Sequence, residues 1–262
     1  MGDAGHSVAG FPGTMKMFAD RYTDYMYALI KKVIDEIGPR PSCSEQEKRL
    51  GRLLVEEWQP LCDRVDVETF TCSPNAFLGF IRVSVLLFFA AVILYWFYPL
   101  ASFIMAAVSF SMVFFEFLRY REFIAFLFPR KQGENIMGTI RPKGEATRRA
   151  LVSAHMDSAY EFNFIYYLKK AAILVIDFAI AGLVIALGGS LAKTIAYFGG
   201  FSDTTAFTAL GYTMIAFTPF MGLFLFFHTY KPVPGAMDDM AGIAVVAGLG
   251  KYLDEAKRKG DW

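Results

Sequence analysis

The sequence predicts an α/β domain interrupted by two transmembrane helical hairpins. Strand-like and amphipathic helical segments alternate in the polar parts of the chain. One strand candidate, Ala150 to Ala154, runs directly into His155 and Asp157. Two long hydrophobic blocks break this pattern. Hydrophobic residues make up 55% of the chain and its mean hydropathy is +0.38, above what a soluble domain carries, so membrane segments are expected on composition alone.

Residues 1–13 are Gly-rich and are expected to be disordered. From Thr14 to Ile37 apolar residues recur at helical spacing (Met17, Phe18, Tyr22, Tyr25, Met26, Leu29, Ile30, Val33), and Gly38-Pro39 ends the run. Ser44 followed by Glu47 makes a capping box for a second amphipathic helix through Leu50, Leu53, Leu54 and Trp58, closed by Pro60. Val65 to Phe70 alternates apolar and polar residues as a half-buried strand does. Asn135 to Ile140 and Ala150 to Ala154 are two further strand candidates, joined by a polar connection, Lys143 to Arg149. The last element is a small-residue helix from about Met240 to Lys257, with Lys257, Arg258 and Lys259 suited to its C-terminal dipole end.

The first hydrophobic block, Val83 to Phe115, has no charge and holds Pro99 near its middle. One span needs roughly 20 residues, so this block is too long for one and fits two folded at Tyr98-Pro99. The second block holds Ala171 to Ala192, interrupted only by Asp177, and Thr204 to Tyr230, with Lys193 to Asp203 as the turn. Asp177 is expected to pair with Arg82 or Arg119 near the interface, and His228 to end a span there. The expected organisation is a discontinuous domain of residues 14–76, 131–170 and 231–262, with membrane hairpins at 77–130 and 171–230. Arg82, Arg119, Arg121, Arg130, Lys131, Lys169, Lys170 and Lys231 flank the hairpins on the soluble-domain side, and only Lys193 lies in the opposite turns. By the positive-inside rule the multi-pass protein has its soluble domain in the cytoplasm. The first 30 residues hold Asp3, Lys16, Asp20, Arg21 and Asp24 and no apolar core, so no cleavable signal peptide is expected. Three cysteines without a Cys-x-x-Cys fit a reducing compartment better than a disulfide framework or thiolate metal site. A net charge of +1 leaves no footprint for nucleic acid.

The chemistry-bearing residues lie at two places. His155 follows a strand candidate, where α/β sheets put their ligands. Asp157 shares its face by the period-2 rule and can hold the second ring nitrogen, as carboxylates behind zinc-bound histidines do. Asp238 and Asp239 follow a Gly-containing turn, Pro234-Gly-Ala-Met, directly before the last helix. An N-cap accounts for one of these aspartates and leaves the other without a role.

With these residues the chain resembles the zinc-dependent exopeptidase family that includes bacterial leucyl aminopeptidases, glutamate carboxypeptidase and glutaminyl cyclase. Ile37-Gly-Pro-Arg-Pro-Ser-Cys-Ser-Glu-Gln-Glu47 looks like the family's Ile-Gly-Pro-Arg-x-x-Gly-Ser-x-x-Glu, with Cys43 in place of glycine. Ser153 to Asp157 looks like its strand-borne His-x-Asp, and Gly235 to Gly242 like its Gly-Ala-x-Asp-Asp-x-Ser-Gly, with Ala241 in place of serine. The resemblance covers 14–76, 131–165 and 231–260, not the hydrophobic blocks. It implies part of a mixed sheet with flanking helices, in which His155 binds one zinc, Asp238 bridges two zinc ions and Asp157 orients His155. The implied reaction is hydrolysis of a peptide from a free end by a metal-activated water. The family's Glu-Glu pair, further acidic ligand and final His have no counterpart up to Trp262. Glu56-Glu57 reads as a solvated helix face and His6 as part of the terminus. The chain is therefore expected to be an N-terminal fragment of a larger enzyme or a degenerate relative, inactive alone. A non-catalytic membrane scaffold of the same fold is the first rival reading. A channel or transporter is the second, opposed by the scarcity of ionisable groups in the spans and by the lack of a repeat relating the hairpins. The expected partners are a peptide substrate and the lipid bilayer, and the oligomeric state stays open.

Overall fold

A computed structural model describes residues 13–201 and 204–260. The expected disorder of 1–13 falls almost wholly outside them, as do the side chains of Met17 and Phe18. The chain divides into two compact units. One holds the described residues up to Phe70, Gln132–Ala159 and the stretch from Pro232 onward; the other holds Thr71–Lys131 and Tyr160–Lys231.

In the first unit, helix α1 (Gly13–Glu36) buries Tyr22, Leu29 and Val33, one face at helical spacing. Gly38 follows in the left-handed conformation and Pro39 prevents continuation. Helix α2 (Glu45–Trp58) is capped by Ser44, whose hydroxyl accepts from the Glu47 amide at 3.2 Å. The reciprocal half of the capping box is displaced by one residue: the Glu47 carboxylate accepts from the Cys43 amide at 2.5 Å, not from Ser44. Cys43 has φ of 58°, the left-handed region that favours glycine. Helix α8 (Ala241–Lys259) closes the unit and buries Ile243 and Ala247 against Leu29, Val33, Leu50, Leu54 and Met240.

Strands β1 (Arg64–Cys72) and β2 (Lys131–Thr139) form a two-stranded ribbon. They run antiparallel, since the Asp63 amide donates to Thr139 at one end and Phe70 covers Gly133 at the other. The expected α/β fold with a mixed sheet is not observed. The chain is 65% helical, and the described residues hold one small sheet of two strands. The third strand candidate, Ala150 to Ala154, joins no ladder. Leu151 is 85% and Val152 50% exposed, while Ala154 and Met156 pack on the helical core. A strand needs a hydrogen-bonding neighbour as well as a suitable composition, and among the described residues none lies alongside this one. Helices satisfy their backbone internally, which is why the apolar half of the chain adds helix and no sheet.

The second unit is a helical bundle. Helix α3 (Ala76–Leu94) turns back into α4 (Pro99–Met112), with Pro99 in its first turn, and a π-helical turn (Val113–Leu118) extends α4. After the short α5 (Asn163–Leu168) come α6 (Ala171–Gly199) and α7 (Thr204–Leu223). Four helices, Ala76–Leu94, Pro99–Leu118, Ala171–Gly199 and Thr204–Phe226, are long and apolar enough to cross a membrane. Their shared core centres on Phe88, Tyr95, Ala106, Leu183, Ala186 and Met214. Small polar residues tie α3 to α4: the Ser84 and Ser109 hydroxyls lie 2.8 Å apart, and Ser102 donates to the Ala91 carbonyl at 2.7 Å. At one end of the bundle Tyr95 donates to Phe207 and Lys193 donates to the Tyr95 carbonyl. At the other, Arg82 donates to the Tyr230 hydroxyl, and the buried Glu116 accepts the Phe123 and Ile124 amides at 2.6 and 2.8 Å. Asp177 is exposed on α6 and has no ion pair with Arg82 or Arg119 among the described residues, contrary to expectation, because Arg82 is turned to Tyr230. His228 is buried, with Nδ1 at 2.7 Å from the Thr229 carbonyl.

Candidate functional site

The site is built from three connections in the first unit. The extended segment 154–158 carries His155 and Asp157, the turn before α8 carries Asp238 and Asp239, and the turn between α1 and α2 carries Arg40. His155 Nε2 lies 3.0 Å from Asp238 Oδ1, and His155 Nδ1 lies 3.0 Å from Asp157 Oδ1. The three residues singled out in the sequence therefore stand together, Asp157 at Nδ1 and Asp238 at Nε2, with Asp239 Oδ2 3.9 Å from Nε2. Asp239 has a different task. Its carboxylate accepts from the His155 amide and from the Gly242 amide, both at 3.2 Å, tying the His155 segment to the first turn of α8. A side chain at position 242 would collide with that carboxylate, since a Cβ there would stand 2.4 Å from Asp239 Oδ1. The two adjacent aspartates divide the work: one caps and braces, and the other is free to face the imidazole. The peptide bond between them is cis.

Arg40 holds these connections in place. It is fully buried, and its guanidinium donates to the carbonyls of Gly38 at 2.7 Å, Pro234 at 3.0 Å, Met156 at 3.1 Å and Gly235 at 3.4 Å. Its backbone joins the same network: Arg40 N donates to the Ser158 hydroxyl at 2.9 Å, and Ser158 N donates to the Arg40 carbonyl at 2.8 Å. One side chain thus bonds carbonyls beside both the His155 segment and the Asp238 turn. Burial lowers the guanidinium pKa, and the charges of Asp157 and Glu47 offset part of that effect. Burial also pushes the Glu47 carboxyl up; the Cys43 amide pulls against this, and the charges of Asp157 and Glu134 add to it. Partial burial pulls the His155 pKa down, but the hydrogen bond and charge of Asp157, with the charges of Asp239 and Asp238, outweigh it and hold the ring above its ordinary value.

The donor chemistry suits zinc at one edge of a coordination sphere. Bonds near 2.0–2.1 Å put neighbouring donors of a tetrahedral zinc about 3.3 Å apart, which the 3.0 Å separation of His155 Nε2 and Asp238 Oδ1 approaches. Among the described residues no group of three or more His, Cys, Asp and Glu side chains gathers as a ligand set. Glu57 is not in the site; it accepts the Tyr25 hydroxyl at 3.2 Å.

Sequence reading missed Arg40 and Ser158 as organisers. Arg40 stood inside a quoted motif, but an arginine in a Gly-Pro turn reads as a surface residue, and only its burial shows otherwise. Compared with protein-family models, curated proteins and solved structures, the chain matches none.

Proposed function

We propose that this chain carries part of a zinc-exopeptidase-like centre on a membrane-anchored protein, acting on peptides from a free end. The observation behind this reading is the convergence of His155 Nε2 and Asp238 Oδ1 at 3.0 Å, with Asp157 on the opposite ring nitrogen. Asp157, 3.0 Å from Nδ1, would hold a proton on that nitrogen and leave Nε2 of His155 available to bind zinc. Asp238, with one oxygen toward His155 and its side chain mostly exposed, would be the second residue to hold zinc. Bound zinc would supply a water acidic enough to attack and a Lewis acid for the scissile carbonyl. Asp239 and Arg40 keep the two ligands in register before any metal arrives.

Hydrolysis also needs a general base and more ligands than these two, so this chain alone is expected to show no chelator-sensitive cleavage of an aminoacyl anilide. The second reading is a non-catalytic membrane scaffold that keeps the same His155, Asp157 and Asp238 arrangement. Zinc separates them. Calorimetric titration of the purified full chain with Zn²⁺ should show binding that His155→Ala and Asp238→Ala abolish and that Asp157→Asn weakens by about 10–100-fold. Binding that survives His155→Ala unchanged would remove the metal assignment.

We further place the first unit in the cytoplasm, with four spans in two hairpins. Two apolar helices, α6 and α7, separate His155 from Asp238 in sequence, and the contact between those residues supports an even number of crossings. The eight flanking cations against Lys193 support the orientation.

A further inference from the structure

We propose that the end of the helical bundle where the chain enters and leaves is a docking surface for anionic phospholipid headgroups, an inference that rests on the four apolar helices crossing a bilayer. Arg82 and Tyr230 meet at this end, and the segments 119–131 and 160–170 emerge there. Arg119, Arg121, Arg130, Lys131, Lys169 and Lys170 are all exposed, and none forms an ion pair among the described residues. The acids of the same end offset little of this charge. Glu116 is buried and bonded to two amides, and Glu161 is paired with Lys231 at 3.2 Å, which leaves Glu122 and, in the second turn of α6, Asp177 against six exposed cations.

The side chains between these cations decide the partner. Tyr120, Phe126, Tyr166 and Tyr167 are 73–78% exposed. Large rings interleaved with guanidinium and ammonium groups, at the ends of apolar helices, sit at headgroup depth with their charges at phosphate level. An acidic soluble protein would match the charges and leave the rings in water. The opposite end of the bundle also exposes rings, Phe97, Tyr98, Phe198 and Phe201, but its cation, Lys193, is taken up by the Tyr95 carbonyl and stacked 4.2 Å from that ring's centre. Rings alone mark an interface of any lipid, whereas rings with unpaired cations select an anionic leaflet.

The test uses the full chain reconstituted in phosphatidylcholine vesicles doped with spin-labelled phosphatidylserine or spin-labelled phosphatidylcholine. The motionally restricted lipid fraction should favour phosphatidylserine by roughly threefold or more at low salt and fall toward parity in 1 M NaCl. Replacing the six cations with Gln should bring the ratio to about one, and exchanging Arg for Lys and Lys for Arg should preserve it. Parity in the wild type, or a Gln variant that keeps its preference, would overturn the proposal. Soluble polyglutamate binding to the detergent-solubilised chain, without lipid preference in vesicles, would overturn it in favour of an acidic protein partner. Extraction of the chain from vesicles by alkaline carbonate would overturn the membrane reading and the proposal with it; a chain that stays inserted but shows parity refutes the headgroup site alone.

Discussion

Arg40 illustrates how much one buried cation can organise. Its guanidinium donates to the carbonyls of Gly38, Met156, Pro234 and Gly235, the last of which also accepts the Met240 amide at 3.2 Å. Buried acceptors deprived of a donor cost about 1–3 kcal/mol each. Arg40→Met keeps much of the side-chain volume and removes every donor. It should destabilise the first unit by roughly 2–4 kcal/mol, read as a lower urea midpoint for tryptophan fluorescence of Trp58, the chain's tryptophan in that unit's core. Arg40→Lys keeps the charge without the fork and should recover only part of the loss. An unchanged midpoint in Arg40→Met would show that the carbonyls find other donors. The site's legibility divides along the same line. His155, Asp157 and Asp238 were readable because their residue types advertise chemistry. Arg40 and the bracing role of Asp239 depend on burial and on distant carbonyls, which residue type does not reveal.

Between elements, ion pairs and close approaches carry the argument. Asp63, just before β1, accepts from Lys257 in the last turn of α8 at 2.6 Å and from the Arg141 amide at 2.7 Å. The Arg141 amide and the Lys257 side chain hold the Asp63 carboxyl below its usual range. A carboxyl with a depressed folded pKa stabilises the fold above its unfolded value, near 3.8, and loses that contribution as pH falls through the folded value. Asp63→Asn should therefore lower thermal stability at pH 7, and the gap to wild type should close only as pH falls from the unfolded value through the lower folded one, where the wild-type carboxyl becomes neutral. A gap between the two melting temperatures that is the same at pH 7 and in strong acid, well below the range in which carboxyls titrate, would deny the link. In the bundle, a Cβ on Gly182 would stand 2.7 Å from the Phe217 Cβ, an atom fixed to backbone, whereas a Cβ on Gly188 of the same helix meets nothing. Gly182→Ala should destabilise the bundle by about 1–3 kcal/mol through overpacking. Gly188→Ala should stabilise it by roughly 0.5–1 kcal/mol, since glycine's backbone freedom is lost on folding with no close approach to justify it. Circular dichroism melts in one detergent give both signs, and equal shifts would mean that α6 and α7 do not approach as closely as described.

For the whole molecule, the helices and the two strands of the ribbon were legible, and the absence of a wider mixed sheet was not. Helical periodicity and apolar length are local properties, so α1, α2, α8 and the apolar helices could be read from neighbouring residues alone. The Ala150–Ala154 segment has suitable composition, but sheet membership depends on a neighbour that its own residues do not specify, and it joins no ladder. Orientation in the membrane lies at this scale too, because it decides the compartment that the first unit faces. The native cysteines are poor reporters: none is in a disulfide and each is only partly exposed, and burial, with the charges of Asp63 and Asp254, pushes the Cys62 thiol up and slows its reaction. A background with Cys43→Ser, Cys62→Ser and Cys72→Ser avoids this. Glu145→Cys then places a thiol in the exposed polar connection of the first unit, and Tyr98→Cys, at a residue 67% exposed, places one at the opposite turn of the first hairpin. With the flanking cations inside, a membrane-impermeant maleimide added to intact cells should label Tyr98→Cys and reach Glu145→Cys only after permeabilisation. The reverse pattern would put the first unit outside and cancel the cytoplasmic placement. Labelling of both thiols in intact cells would mean that α3 does not cross the membrane between them.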